Sequence, residues 1–434
     1  MNYRFLSILL ILCSWASQAR AESRYIVRTS GGAVLLQSLC KLLGCSVLRS
    51  IGDPVSQLFV VTTSNLTSPV SLLSALLHQV GITAVELDLP ISVVPGTLFI
   101  SKHVEAPEGL TDKRPVQFYG STVWNGYATQ PAAHVIRLQD AQSAFRAQGS
   151  GIVSVIDTGI DPNHPALSQI VVPGYDFTRD ESGFAAETAD LNQSTAAVVD
   201  GGPMQVNAST IAVLDQSTAA VVDNPGYAAF GHGTMVAGIV HLTAPRANIM
   251  PLKTFGANGI GYTSDILRAI YFAVQAGARI IQMSFSMPDY SQELKNAIGY
   301  AVSRQLTCVA SAGNDGKNTM VYPAGLNNVM GVGSTDLFDK RSSFSNYGNN
   351  LVWVAAPGEG IISTYPMGTY AAGWGTSFSA PFVSGSAALL LQLQPGTNES
   401  TASAAVANAK PVGQGLGKGR LDAYRALASG KSKP

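Results

Sequence analysis

Hydrophobic and polar positions along the chain follow two patterns, separated by a stretch that shows neither. Between residues 25 and 94, β-rich runs over 25–29, 46–51, 57–62 and 82–94 alternate with runs of helical period over 32–43 and 68–79. Gly44 closes the first helical run and Pro90 interrupts the last strand. The order β-α-β-β-α-β predicts a small α+β unit of split βαβ type. After Gly149-Ser150-Gly151 the apolar runs become nearly continuous, as in Ile152-Val153-Ser154-Val155-Ile156 and Arg279-Ile280-Ile281-Gln282-Met283, and alternate with helical segments such as 264–278. Strands buried on both faces read this way, so this part is expected to form an α/β domain on a mostly parallel sheet flanked by helices. The stretch 103–134 is rich in Pro, Gly and polar residues without a period and reads as a linker.

The first residues carry an export pattern. Arg4, an apolar run over 5–16 and Ala19-Arg20-Ala21 follow one another in the order of a signal peptide with a small-x-small cleavage site. Residues 1–21 are expected to be removed, and the mature protein to be exported to the extracellular space or a periplasm. Leu12 ahead of Cys13 does not fit a lipid-attachment site, and no later stretch reaches the 18 or so apolar residues of a membrane span.

Composition narrows the partners. The 434 residues are 46% hydrophobic, enough for a sizeable core, and only 12% charged, with 27 acids balancing 27 bases. A nucleic-acid partner would need a basic excess, which is missing. Four cysteines, at 13, 40, 45 and 308, are too few and too scattered for a disulfide-stapled scaffold or a structural zinc site. Cys40 and Cys45 straddle the end of the first helical run. An oxidising compartment leaves a bridge between them open, but a spacing of five within a helix argues against it, because the Cα atoms would lie too far apart.

Three blocks in the second region carry candidate chemistry. Val155-Ile156-Asp157-Thr158-Gly159 is an apolar strand ending in a carboxylate, which alone fits a turn or cap as well as a catalytic acid. Gly231-His232-Gly233-Thr234 starts a helix, and its two glycines strip bulk from both sides of the imidazole, as a base needing access to a nucleophile would require. Gly373-Trp374-Gly375-Thr376-Ser377-Phe378-Ser379-Ala380-Pro381 leads into an apolar helix. A serine at a helix N-terminus is commonly a cap, yet unpaired N–H groups and the positive dipole end there also suit a nucleophile whose reaction develops an oxyanion.

Taken together, the blocks resemble the catalytic motifs of the subtilisin-like serine proteases, in that family's order Asp, His, Ser. A fourth piece, Ser311-Ala312-Gly313-Asn314-Asp315-Gly316, is similar to its oxyanion segment, and the resemblance runs from about His134 to Ala426. It implies an α/β subtilisin-like fold with Ser377 as nucleophile, His232 as general base, Asp157 orienting the imidazole and Asn314 as an oxyanion donor. It implies further that Ser284-Phe285-Ser286 and Gly259-Ile260-Gly261, with Gly313, line the extended substrate. The family also implies a ferredoxin-like prodomain, here 22–106, acting as folding aid and inhibitor of the chain's own protease. Polypeptides would be the substrates of a monomer that needs no cofactor for catalysis; calcium is a frequent structural ligand in the family, but no site for it is identified. The chain departs from the pattern at Met235, where a second His is common, at Gln282 in place of Asn, at Ser379-Ala380, which inverts an Ala-Ser pair, and at Ser286, where Gly is common in the pocket wall.

The expected organisation is a signal peptide over 1–21, a propeptide over 22–106, a linker and start of the mature region over 107–145, a peptidase domain over 146–428 and a tail over 429–434. An insertion over 190–223 fits no family expectation. It holds three copies of one octad, QSTAAVVD at 193–200, ASTIAVLD at 208–215 and QSTAAVVD again at 216–223. These read as a β-rich surface duplication or as an exosite beside the cleft. The alternative to a secreted, self-processed endopeptidase is an inactive secreted protein binding peptides in the same cleft, which the full Asp157, His232, Asn314 and Ser377 set argues against. An α/β-hydrolase esterase fails on motif and chain order.

Overall fold

A computed structural model describes residues 23–63, 69–93, 107–191, 213–214 and 227–430. The expected signal peptide and the two QSTAAVVD octads lie outside the described residues. The chain divides into two compact units, Met1–Leu89 and Pro90–Pro434.

The first unit runs β1 (Arg24–Thr29), α1 (Gly32–Leu43), β2 (Cys45–Ser50), β3 (Leu58–Thr63), α2 (Pro69–Leu77) and β4 (Ile82–Leu87). Its antiparallel sheet has the order β2-β3-β1-β4. The two inner strands are the most apolar, and Tyr25, Val27, Phe59 and Val61 pack with Leu36 and Cys40 of α1 and Leu72 and Leu76 of α2. The last strand is shorter than the hydrophobic run predicts. It stops at Leu87, and β5 (Pro90–Ser92) belongs to the second unit. The expectation against a Cys40–Cys45 bridge fails. The two are disulfide-bonded with Cα atoms 4.5 Å apart, because α1 ends at Leu43 and Gly44, at φ 73°, turns the chain back so that Cys45 opens β2 beside the helix end.

In the second unit β6 (Pro115–Phe118) and β7 (Ser121–Trp124) form a hairpin, followed by α3 (Asn125–Ala128), α4 (Pro131–Val135) and α5 (Leu138–Phe145). The linker expected over 107–145 is thus a set of short elements docked on the main core through buried Tyr127, Ala132, Ala133, Ile136 and Leu138. Each piece is too short to display a period, which is why the pattern looked empty. Tyr127 donates to the Gly238 carbonyl at 2.7 Å.

The sheet that follows uses β8 (Ile152–Asp157), β9 (Gly174–Asp176), β10 (Glu181–Gly183), β12 (Asn248–Lys253), β14 (Ile280–Met283), β15 (Thr307–Ser311), β16 (Met330–Thr335) and β17 (Val354–Pro357). Their order is β10-β9-β12-β8-β14-β15-β16-β17, parallel except for β10. The intervening and following elements are β11 (Val213–Leu214), α6 (His232–Thr243), β13 (Ile260–Tyr262), α7 (Thr263–Gln275), α8 (Gln292–Ser303), the β18 (Ile361–Tyr365) and β19 (Thr369–Gly373) hairpin, α9 (Thr376–Leu393), α10 (Glu399–Val406) and α11 (Ala423–Gly430). The expected mostly parallel, helix-flanked α/β sheet is present. β8 is flanked by β12 on one side and by β14 on the other, so successive strands are added on opposite sides of it and its C-terminal end is the switch point where open α/β sheets leave a crevice. Helices α6 and α9 pack on each other. All residues of α6, and of α9 as far as Leu391, are buried, so both helices are enclosed around their whole circumference. Of the repeats only Val213–Leu214 is described, pairing antiparallel with Ala371 and Ala372 of β19.

Candidate active site

Asp157 ends β8 at the switch point, buried, with Oδ1 accepting from the Thr158 backbone N at 2.8 Å. His232 is the first residue of α6, and its Nδ1 lies 2.6 Å from the same Oδ1. A carboxylate can only accept here, so Nδ1 carries the proton and Nε2 is the free nitrogen. Nε2 is buried and has no hydrogen-bond partner among the described residues. Burial by itself lowers the imidazole pKa; the charge and hydrogen bond of Asp157, with Glu187 further off, outweigh it and leave the pKa above the ordinary value. The glycines around His232 serve a different end from the expected access for a nucleophile. A Cβ on Gly231, at φ 88°, would run into the Tyr365 ring, and one on Gly233 would run into the Gly159 carbonyl, so both glycines let the helix start press against its neighbours.

Ser377 is the second residue of α9. Its hydroxyl donates to the Ser284 carbonyl at 3.1 Å, and the Ser284 hydroxyl donates back to the Ser377 carbonyl at 2.8 Å. Pro381 explains the second bond. Lacking an N–H, it leaves the carbonyl four residues earlier without its helical partner, and Ser284 takes that place. Gln282, standing where Asn is common, supports this contact through its Nε2, 2.8 Å from the Ser284 Oγ, while its own Oε1 accepts from Ser384. The Ser377–His232 hydrogen bond is not made in this resting geometry.

Asn314 follows β15, and its Oδ1 accepts from both the backbone N and the hydroxyl of Thr376, each at 2.9 Å. Because a backbone N–H can only donate, the amide is oriented with Nδ2 as its remaining donor, one residue from Ser377. Gly313, at φ 88°, donates its N–H to the Thr376 hydroxyl at 3.1 Å. A Cβ on Gly313 would sit 2.6 Å from the Asn346 Nδ2 and 3.2 Å from the Ser286 Oγ, so Gly313 is closely packed between these two side chains. Phe285 is buried against Phe255 with ring centres 5.3 Å apart. At Gly259-Ile260-Gly261, β13 pairs antiparallel with β5, Ile260 opposite Ser92 and Gly261 opposite Ile91, and Val93 donates to the Gly259 carbonyl at 2.9 Å. The structure thus gathers Asp157 with His232, and Asn314, Gly313, Ser284 and Ser286 around the start of the Ser377 helix.

Two groups at this site escaped the sequence reading. Thr376 was legible only as part of a block, although it fixes the Asn314 amide. Glu187 stands in an ordinary polar loop and gives no pattern, yet it is buried beside the Asp157 turn. Buried Lys253 donates to the carbonyls of Thr158 and Phe255 and to the Asp190 carboxylate, each at 2.7 Å, so Asp190 is anchored to the core beside the Asp157 turn. Among the described residues no group of three His, Cys, Asp or Glu is placed to hold a metal ion, and no helix is long and apolar enough to cross a membrane.

The α/β frame thus carries an acid–imidazole pair at the end of a parallel strand and a serine at the start of a buried helix, with an oriented amide beside the serine. The family model for the subtilases, peptidase family S8, matches residues 149–425. Thermitase from Thermoactinomyces vulgaris is 35% identical over 306 residues, covering 67% of this chain and 94% of that protein. A thermophilic serine proteinase from Bacillus sp. (strain AK1) is 33% identical over 279 residues, 63% of this chain and 61% of that one. Fervidolysin from Fervidobacterium pennivorans, a keratinolytic enzyme related to subtilisin, superposes with a TM-score of 0.69 at 23% identity over 94% of this chain and 61% of its own, a likeness of fold. The chain belongs to the subtilase family and is a serine endopeptidase acting on polypeptides.

Proposed function

We propose that this subtilase is a secreted, monomeric endopeptidase made as a self-processed zymogen, with Ser377 as nucleophile, His232 as general base and Asp157 holding the imidazole. The observation that carries the assignment is the His232 Nδ1–Asp157 Oδ1 bond of 2.6 Å together with the unpartnered Nε2. It fixes the tautomer whose free nitrogen takes a proton. On substrate binding the Ser377 hydroxyl turns from the Ser284 carbonyl to His232 Nε2, a bond that apo geometry commonly leaves open. Its oxygen attacks the peptide carbonyl as the proton passes to His232. The resulting oxyanion is held by Asn314 Nδ2 and the Ser377 backbone N–H at the positive end of α9. His232 returns the proton to the leaving amine, and water, activated by the same imidazole, hydrolyses the acyl-enzyme. Subtilases need no cofactor for this.

Substrate recognition rests on backbone. The antiparallel pairing of β5 on β13 is the kind an extended peptide makes with an exposed strand. Its occupant, Pro90–Ser92, lies within the 22–106 segment expected to be the propeptide. This supports a precursor whose 22–106 segment inhibits its own protease until it is cut away. Gly313 and Ser286, facing each other, form the wall of the pocket for the residue before the scissile bond, and Ser284 and Phe285 form the edge opposite β13.

The test is Ser377→Ala in the full chain. Peptide hydrolysis is abolished and the precursor stays uncut. Retained turnover would remove Ser377 from the mechanism, and processing of the purified variant at the wild-type rate would exclude self-cleavage.

A further inference from the structure

We propose that Glu187 is a positioning residue for the proteolytic reaction: its buried carboxylate ties the turn after Asp157 to the first turn of the His232 helix and places negative charge behind that pair. This rests on the roles given to Asp157 and His232 above. Glu187 is 1% exposed, and a carboxylate at that depth is tolerated only when its oxygens are bonded. All its partners adjoin the candidate catalytic groups. Oε1 accepts from the Thr158 hydroxyl and from the Gly233 N at 3.2 Å, while Oε2 accepts from the Thr234 hydroxyl and from the Thr234 N at 3.3 Å. Thr158 follows Asp157, and Gly233 and Thr234 follow His232, so one side chain spans both halves of the pair. The two backbone donors belong to the first turn of α6, which leaves them without intrahelical partners and whose dipole favours an anion; Gly233 N also meets the Thr158 hydroxyl at 3.0 Å.

The backbone around Glu187 is docked on the same turn. Glu187 N donates to the Ile160 carbonyl at 3.3 Å and Ile160 N to the Ala185 carbonyl at 3.2 Å. Gly159, at φ 99°, lets this segment approach, because a Cβ there would lie 2.5 Å from the Ala185 carbonyl oxygen. Charged and titratable groups face Glu187 from four sides: Asp157 at the end of β8, His232 on α6, Lys253 on β12 and Tyr365 on β18. Asp190 shares its turn and is bonded to Lys253. Burial pushes the Glu187 carboxyl up to about 7, against the Thr158 and Thr234 hydrogen bonds and Lys253, which pull it down. Its ionised form favours protonated His232.

Glu187→Gln keeps the size and removes the charge. With it, kcat falls about tenfold at unchanged KM. The acid limb of kcat/KM moves down by about 0.5 pH unit, because a negative charge that raised the His232 pKa is gone. A folded Glu187→Gln enzyme with the wild-type kcat and acid limb would reduce Glu187 to a structural residue. If that variant does not fold, Glu187→Asp retains the charge on a shorter arm. The proposal then expects a lowered kcat with an unmoved acid limb, and a wild-type kcat would overturn it. Fluorophosphonate labelling of wild-type Ser377 runs beside both variants. Failure of that labelling would strike the triad assignment itself, whereas normal wild-type labelling with unaffected variants would strike Glu187 alone.

Discussion

The proposed reacting centre and the proposed peptide-binding edge of this protease are built from opposite materials. Asp157, His232, Asn314 and Ser377 are buried side chains held by hydrogen bonds that leave His232 Nε2 without a partner among the described residues. The edge at Gly259-Ile260-Gly261 offers backbone groups, and its one large side chain, Ile260, is 47% exposed. Chemistry needs a few atoms fixed in a dry place, while recognition of many sequences needs a strand that ignores side chains. Substitutions at the centre should therefore act on kcat and those at the edge on KM.

The largest effect after Ser377→Ala belongs to Asn314→Ala. It should lower kcat by about 10²- to 10³-fold with little change in KM, since the amide acts on charge that develops only in the transition state. Steady-state kinetics on one chromogenic peptide checks this, and an unchanged kcat would return Asn314 to a structural role. At the edge, Gly261→Val brings a side chain against the Thr254 carbonyl and the Phe255 ring. It should raise KM for extended peptides about tenfold and leave kcat near wild type. The comparison breaks if kcat falls instead.

That contrast also decides what was legible beforehand. The centre uses residue types that announce themselves, Asp at a strand end and His and Ser at helix starts, and their blocks stand in a recognisable order. The parallel sheet was legible for a related reason, since strands buried on both faces leave unbroken apolar runs. What stayed hidden depends on three-dimensional closure. Glu187 meets Thr158 and Thr234 only after the sheet forms, the hairpin and helices over 115–145 are too short for periodicity, and the Cys40–Cys45 bridge depends on the left-handed turn at Gly44.

Smaller effects are expected further out. Excising 192–226, which spares the Asp190 anchor, should leave short-peptide turnover within about tenfold of wild type, because loop-closure cost changes slowly with length. Activity on folded protein substrates should change more if the repeats act as an exosite, and equal activity on both would favour plain duplication. A folded deletion without short-peptide turnover would show that this segment shapes the centre. Smallest of all, Ile260→Ala should change kcat/KM by less than about threefold, since an exposed side chain on a backbone-paired strand adds little.

The central claim, one serine activated by one imidazole, is tested most directly by the pH dependence of fluorophosphonate labelling in the processed enzyme, with the adduct mapped by mass spectrometry. Protonated His232 cannot accept the Ser377 proton, so labelling should fail as pH drops through its pKa. That pKa is raised by Asp157, which places the acid limb above the usual imidazole value of about 6.5. The account predicts a single adduct on Ser377 whose rate follows that limb. An adduct on another serine, or a rate that stays flat across the range, would contradict it.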